Sequence, residues 1–176
     1  NDGTLLSFVP QDIIRLGVDP ADDSYKEESE KHANVIIQDF FSAGSFTSTG
    51  HNKAKVVTSI AMFYDLEQPD VFIQDVYNIL NDDGIWVLQL SYTPLMLEQL
   101  AFDNICHEHL EFYSYASLRW LFEKNGLEIF RVEENAINGG SLRLFARHYK
   151  EGSVTYSEDI KKEDYLAFAK RIEKNE

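Results

Sequence analysis

The sequence predicts an α/β fold whose sheet is mostly parallel and closes with an antiparallel C-terminal hairpin. Three observations carry this. Short apolar runs rich in β-branched residues alternate with stretches of helical spacing through residue 90, the pattern of strands joined by helical crossovers. Two further apolar runs, 127–132 and 142–146, are joined by Asn138-Gly139-Gly140-Ser141, which reads as an antiparallel strand pair at an edge. The chain has 176 residues, 44% apolar and 13% aromatic, enough for a packed core and unlike a disordered chain.

The elements follow in order. Leu5-Leu6-Ser7-Phe8 begins a short helix that Pro10 stops. The run 13–18, bounded by Gly17 and Asp19-Pro20, predicts a short buried strand. Residues 21–33 are charged and read as a solvated helix or loop, and 34–41, with Val35-Ile36-Ile37, as a strand ending at Asp39. Residues 47–53 are polar and aperiodic, a loop. The run 55–62 predicts a third buried strand, and 69–80 a helix with Val71, Phe72, Val76, Ile79 and Leu80 at helical spacing. Asn81-Asp82-Asp83-Gly84 ends that helix before a strand over 85–90. A short helix over 95–100 follows Pro94, and a helix over 116–124 is stopped by Asn125-Gly126. Residues 158–175 are charged and amphipathic, with Ile160, Tyr165, Leu166, Phe168, Ala169 and Ile172 in a helix that packs on something.

With 30 acidic against 16 basic residues the formal charge is −14. General attraction to nucleic acid or to an anionic membrane is therefore not expected, and an anionic ligand must find its counter-charge locally. The single Cys106 makes no internal disulfide, no apolar run approaches the ~20 residues of a membrane helix, and no basic-then-apolar leader opens the chain. A cytoplasmic protein is expected.

Ligands of open α/β sheets sit beyond the carboxyl ends of strands. Asp2-Gly3, Asp19, Asp39 and Ala61-Met62 fall at such ends. Asp19 follows Asp2 by 17 positions, close to the ~20-residue spacing at which a carboxylate accepts both hydroxyls of a ribose. Asp39 could accept from an adenine amino group, with Phe40 as an apolar wall; each Asp is equally a turn or helix cap. In this order Asn1-Asp2-Gly3-Thr4-Leu5-Leu6, Gly17-Val18-Asp19-Pro20, Gln38-Asp39-Phe40-Phe41, Ser59-Ile60-Ala61-Met62-Phe63 and Leu80-Asn81-Asp82-Asp83-Gly84 resemble the class I S-adenosylmethionine-dependent methyltransferases. The resemblance implies a Rossmann-like sheet and S-adenosyl-L-methionine as cofactor, contacted by Asn1, Asp2, Gly3, Asp19, Asp39, Phe40, Ala61 and Met62. That family's first strand and leading glycines have no counterpart after Asn1, so the chain is expected to be a fragment. Its methyltransferase domain would span 1–149, with 150–176 beginning a further C-terminal region.

Phe102-Asp103-Asn104-Ile105-Cys106-His107-Glu108-His109-Leu110, with Phe112-Tyr113-Ser114, is similar to the Tyr-His-Glu-His-Leu segment of C-methyltransferases acting on nucleotide-linked deoxysugars. Asn138-Gly139-Gly140-Ser141-Leu142-Arg143 resembles their His-Gly-Gly-Ser-Leu-Arg loop. Cys106 stands where that family commonly has Tyr, and Asn138 where it has His. The resemblance implies His109 as the base that deprotonates the carbon beside a keto group. Glu108 would orient it or stabilise its imidazolium, and His107 would contact the enolate oxygen or the substrate. Asn138, Gly139, Gly140, Ser141 and Arg143 would meet the sugar or phosphate, the glycines by allowing close backbone approach. On an extended segment His107 and His109 would share a side, a metal-binding spacing, but the further ligands of a zinc set are missing and no metal is expected. Structural hydrogen bonding of these histidines, an O- or N-methyltransferase, and a non-catalytic binding module remain alternatives.

Overall fold

A computed structural model describes residues 2–151, and the chain divides after Asn52 into two compact units. The helix expected over 158–175 and the cofactor contact expected of Asn1 lie outside the described residues.

The first unit contains α1 (Thr4–Ser7), β1 (Leu16–Val18), α2 (Asp23–Glu30), β2 (Val35–Ile37) and α3 (Ala43–Thr47). The strands pair in parallel, Leu16 opposite Val35 and Val18 opposite Ile37, with α2 as the crossover. Asp22 caps α2 by accepting from the Ser24 amide. Arg15 and Asn34 exchange hydrogen bonds below the strands, the Arg15 amide donating to Asn34 Oδ1 at 2.9 Å and the Asn34 amide to the Arg15 carbonyl at 2.8 Å. Both strands are shorter than the apolar runs that predict them, because Ile13 and Ile14 lie exposed before β1. Helix α3 is an addition to the expected pattern: Ser42 and Ser45 form a reciprocal capping box that starts it.

The second unit holds one four-stranded sheet of order β3-β4-β6-β5. Its strands are β3 (Ala54–Ile60), β4 (Leu80–Ser91), β5 (Leu127–Asn135) and β6 (Ser141–His148), and its α-helices are α4 (Pro69–Ile79), α5 (Thr93–Glu98) and α6 (Tyr115–Lys124). Strands β3 and β4 are parallel across α4, whereas β6 is antiparallel to both β4 and β5. Strand β4 starts at Leu80, opposite Ala54. Residues 81–84 then bulge before Ile85 pairs with Val56. The expected antiparallel pair is present with one difference: β6 is interior and β5 forms the edge. Strand β3 is the opposite edge. Val56 is 59% and Ile60 43% exposed, so the expectation of a fully buried run does not hold for that strand.

Apolar residues of α4 and α6 close one sheet face: Ile73, Val76, Ile79, Leu118 and Phe122 are buried with Trp86, Leu88 and Leu144. Trp86 is the centre. Its ring stacks on Phe122 with centroids 4.8 Å apart, meets Phe63 edge-on at 5.9 Å, and donates its indole N–H to Ser59 Oγ at 3.1 Å, so no polar atom of the ring is left unpaired. Truncating it opens a cavity and leaves Ser59 without that donor. Trp86→Ala is expected to cost about 3–5 kcal/mol, read as a lowered midpoint in denaturant unfolding.

Candidate active site

At the carboxyl end of β3 the Ala61 amide donates to the Gln89 carbonyl at 2.9 Å and the chain then turns sharply. Ala61 takes a left-handed φ of 54°, uncommon for a residue with a Cβ. A 3-10 turn, Phe63–Asp65, follows, closed by the Asp65 amide on the Met62 carbonyl at 3.1 Å. The Tyr64 carbonyl accepts from the amides of Leu110 and Glu111 at 2.9 and 3.0 Å, which ties this turn to the His-Glu-His segment. Between them lies an open cleft of about 620 Å³ lined by Ala61, Tyr64, Asp65, His107, Glu108, His109 and Leu110.

The segment itself is a turn, with the His109 amide on the Cys106 carbonyl at 3.3 Å. The extended segment on which both histidines would share a side is therefore not formed. His107 is 91% and Glu108 73% exposed, with His107 Nε2 3.8 Å from Glu108 Oε1. His109 is held on two sides. Its ring lies against the Tyr64 ring, centroids 4.2 Å apart, and Nδ1 is 2.8 Å from the Asn104 carbonyl. A carbonyl only accepts, so in the neutral ring Nδ1 carries the proton and Nε2 keeps its lone pair. The group that meets Nδ1 is thus the Asn104 backbone carbonyl. Burial pushes the Asp65 carboxyl up; a protonated His109 would oppose this, and the negative charge of Glu108 adds to it. Burial and the Asp65 charge likewise raise the Tyr64 phenol.

Asn104, missed in the sequence as a functional residue, is buried. Its Oδ1 accepts from Ser91 Oγ at 3.2 Å, and its Nδ2 donates to the carbonyls of Ala101 at 3.3 Å and Asn138 at 3.1 Å. Asn138 belongs to the glycine loop between β5 and β6, where Asn138, Gly139 and Gly140 have φ values of 52°, 73° and 110°. A Cβ on Gly139 would come within 2.5 Å of Ala101 Cβ, and one on Gly140 within 2.6 Å of Leu95 Cβ. The close approach that these glycines permit is thus made by the protein's own chain. Ser141 is buried and donates its hydroxyl to the Ile137 carbonyl at 2.7 Å. Arg143 donates to Gln89 Oε1 through Nε at 3.0 Å and a terminal nitrogen at 2.8 Å, and lies 3.6 Å from Glu133. Both side chains are engaged within the sheet and loop.

In the first unit, Asp19 follows β1 and Asp39 follows β2, at one edge of the parallel pair, and the Asp19 amide donates to the Ile37 carbonyl at 3.0 Å. Asp19 Oδ1 accepts from the Ala21 amide at 2.8 Å, and Asp39 Oδ1 from the Phe40 amide at 2.7 Å. Phe40 is 76% exposed. Just before α1, Asp2 accepts from the Thr4 amide and hydroxyl at 2.9 and 2.8 Å. Those two bonds hold its carboxyl below the usual range. Gly3 has φ 78°, and a Cβ there would meet the Ser29 backbone at 3.0 Å. Asp19 and Asp39 thus lie beyond the carboxyl ends of two neighbouring strands in one unit, and Ala61 lines a cleft with His107, Glu108 and His109 in the other.

A family described as a methyltransferase domain matches residues 6–132, and the chain belongs to it. Its fold is the Rossmann-like α/β fold of that class. PH0226 protein from Pyrococcus horikoshii superposes with a TM-score of 0.62 at 14% identity, over 84% of this chain and 78% of that one. Magnesium protoporphyrin IX methyltransferase from Synechocystis, solved with bound SAH, gives 0.55 at 13% identity, over 77% of this chain and 64% of that one. The C-methyltransferase NovU of Streptomyces niveus is 30% identical over 148 residues, covering 83% of this chain. The chain spans 35% of that relative's length. Among the described residues no helix is long and apolar enough to cross a membrane.

Gly140→Ala places a methyl group against Leu95 at a φ that a Cβ resists. A loss of about 1–3 kcal/mol is expected, measured as a fall in Tm, while Gly50→Ala, with nothing within 4 Å, isolates the backbone contribution at a φ of 86°.

Proposed function

We propose that the chain is the catalytic part of an S-adenosylmethionine-dependent enzyme that methylates a carbon of a nucleotide-linked keto-deoxysugar. The observation that carries this reading is the placement of His109: its Nδ1 is 2.8 Å from the Asn104 carbonyl, a contact that in the neutral ring leaves Nε2 as the basic nitrogen, and the residue lines an open cleft. The similarity to a C-methyltransferase supports carbon as the acceptor, and the His-Glu-His and Asn-Gly-Gly-Ser segments support a sugar.

The residues present fit the cofactor. Asp19 and Asp39 follow the carboxyl ends of two parallel strands, a position suited to ribose hydroxyls and an adenine amino group, and Phe40 offers an exposed ring. Asp2 and Gly3 add to these contacts within the first unit. When bound, S-adenosylmethionine supplies a sulfonium-activated methyl group. His109 removes the proton made acidic by the neighbouring ketone, and the enolate so formed is the carbon nucleophile. Asp65 and Glu108 present negative charge to the resulting imidazolium. His107, on the cleft wall, and the exposed Asn138 side chain contact the substrate. Ser141 and Arg143 support the glycine loop through Ile137 and Gln89.

The test is turnover of the intact protein with S-adenosylmethionine and a nucleotide-linked 4-keto sugar, with product analysed by NMR. A new carbon–methyl bond is expected. His109→Asn should lower kcat by about 10²–10⁴ and leave cofactor affinity unchanged. Asp19→Ala should weaken cofactor binding by about one to two orders of magnitude, the loss of hydrogen bonds to a charged group, measured by calorimetry. Methyl on oxygen or nitrogen, or full activity of His109→Asn, overturns the reading.

A further inference from the structure

The Asn104 side chain is where the His-Glu-His segment and the glycine loop meet. Its amide nitrogen holds the Asn138 carbonyl at 3.1 Å and the Ala101 carbonyl at 3.3 Å, its amide oxygen is held by Ser91, and its backbone carbonyl fixes the Nδ1 proton of His109. We propose that Asn104 is a positioning residue that makes the glycine loop and the His109 base one hydrogen-bonded unit. A displacement of the loop then reaches the imidazole through a single residue. This rests on the reading of His109 as the base for its catalytic consequence, though not for the coupling itself.

Three features support the coupling. Asn104 is buried in a 3-10 turn (Phe102–Asn104), so unpairing its amide N–H donors leaves polar hydrogens without water. The loop has no freedom to move alone, since Gly139 and Gly140 abut Ala101 and Leu95 and the Gly140 carbonyl accepts from the Tyr92 amide at 3.0 Å. Ala101 is itself a partner of Asn104, so the loop's packing neighbour and its hydrogen-bond neighbour are the same short turn. Aspartate and serine discriminate the donor role: aspartate keeps the shape and the acceptor and removes the two N–H donors, and serine keeps one donor on a shorter arm.

The experiment measures Asn104→Asp, Asn104→Ser and Ser91→Ala in the intact protein, by ¹⁵N NMR of the histidine rings and by amide exchange of residues 136–140. In Asn104→Asp the loop amides should exchange at least tenfold faster and the His109 signal should lose its single Nδ1–H tautomer. Asn104→Ser should fall between, and Ser91→Ala, which leaves both Nδ2 bonds in place, should stay near the parent. If Asn104→Asp does not fold, the Asn104→Ser values decide alone. A parent-like tautomer and parent-like loop exchange in the variant that folds overturn the coupling. The kcat of Asn104→Ser, expected to fall about tenfold to a hundredfold, as for a misplaced catalytic group, with KM changed less, reads the catalytic consequence separately. Intact coupling signals with no turnover in the parent would refute the proposed reaction and leave the positioning role standing.

Discussion

The second unit depends on where β6 enters the sheet. By running antiparallel between β4 and β5, β6 sets Ser141 opposite Ser91 on one side and opposite Asn135 on the other. Everything before Ser141 is then drawn to the end of β4. The glycine loop has to fold back over α5, its consecutive left-handed residues follow from that reversal, and the turn carrying Asn104 is caught beneath it. A parallel β6, or one at the outer edge, would separate the loop from the His-Glu-His segment.

The cleft built at this end combines a hydrogen-bonded imidazole with carboxylates. In a chain of net charge −14 further negative charge near a base is not neutral in effect. It makes a diphosphate less welcome in the cleft. Arg143, the cation assigned to that task from the sequence, is engaged with Gln89 and Glu133. Counter-charge for a nucleotide substrate therefore has to come from elsewhere than this arginine in its present rotamer.

Much of the fold was legible because it rests on local patterns: the β-branched runs, the helical spacing of Phe72, Val76 and Ile79, and the Asn125-Gly126 stop each act over a few residues. Features that rest on partners far along the chain were not. Helix α3 has five residues, too few for periodicity, and its start depends on two serines where the usual signature has a glutamate or glutamine. The apolar run in β3 predicts burial because composition carries no mark of an edge. Asn104 was passed over for the same reason, since its partner at Asn138 lies 34 positions away and the group it offers His109 is a backbone carbonyl that any residue possesses. The two glycines of the loop were recognised as necessary but with ligand in place of Leu95 and Ala101 as the neighbour.

Ala61 has a further meaning for the cleft. A side chain in the left-handed region is tolerated more readily the smaller it is, and here that residue forms part of the cleft wall while its amide is committed to β4. Conformational strain and ligand space therefore select in the same direction. A bulkier residue would be penalised first by its own backbone and again by the volume it removed, so the cleft is kept open by the geometry of a turn as well as by the needs of whatever enters it.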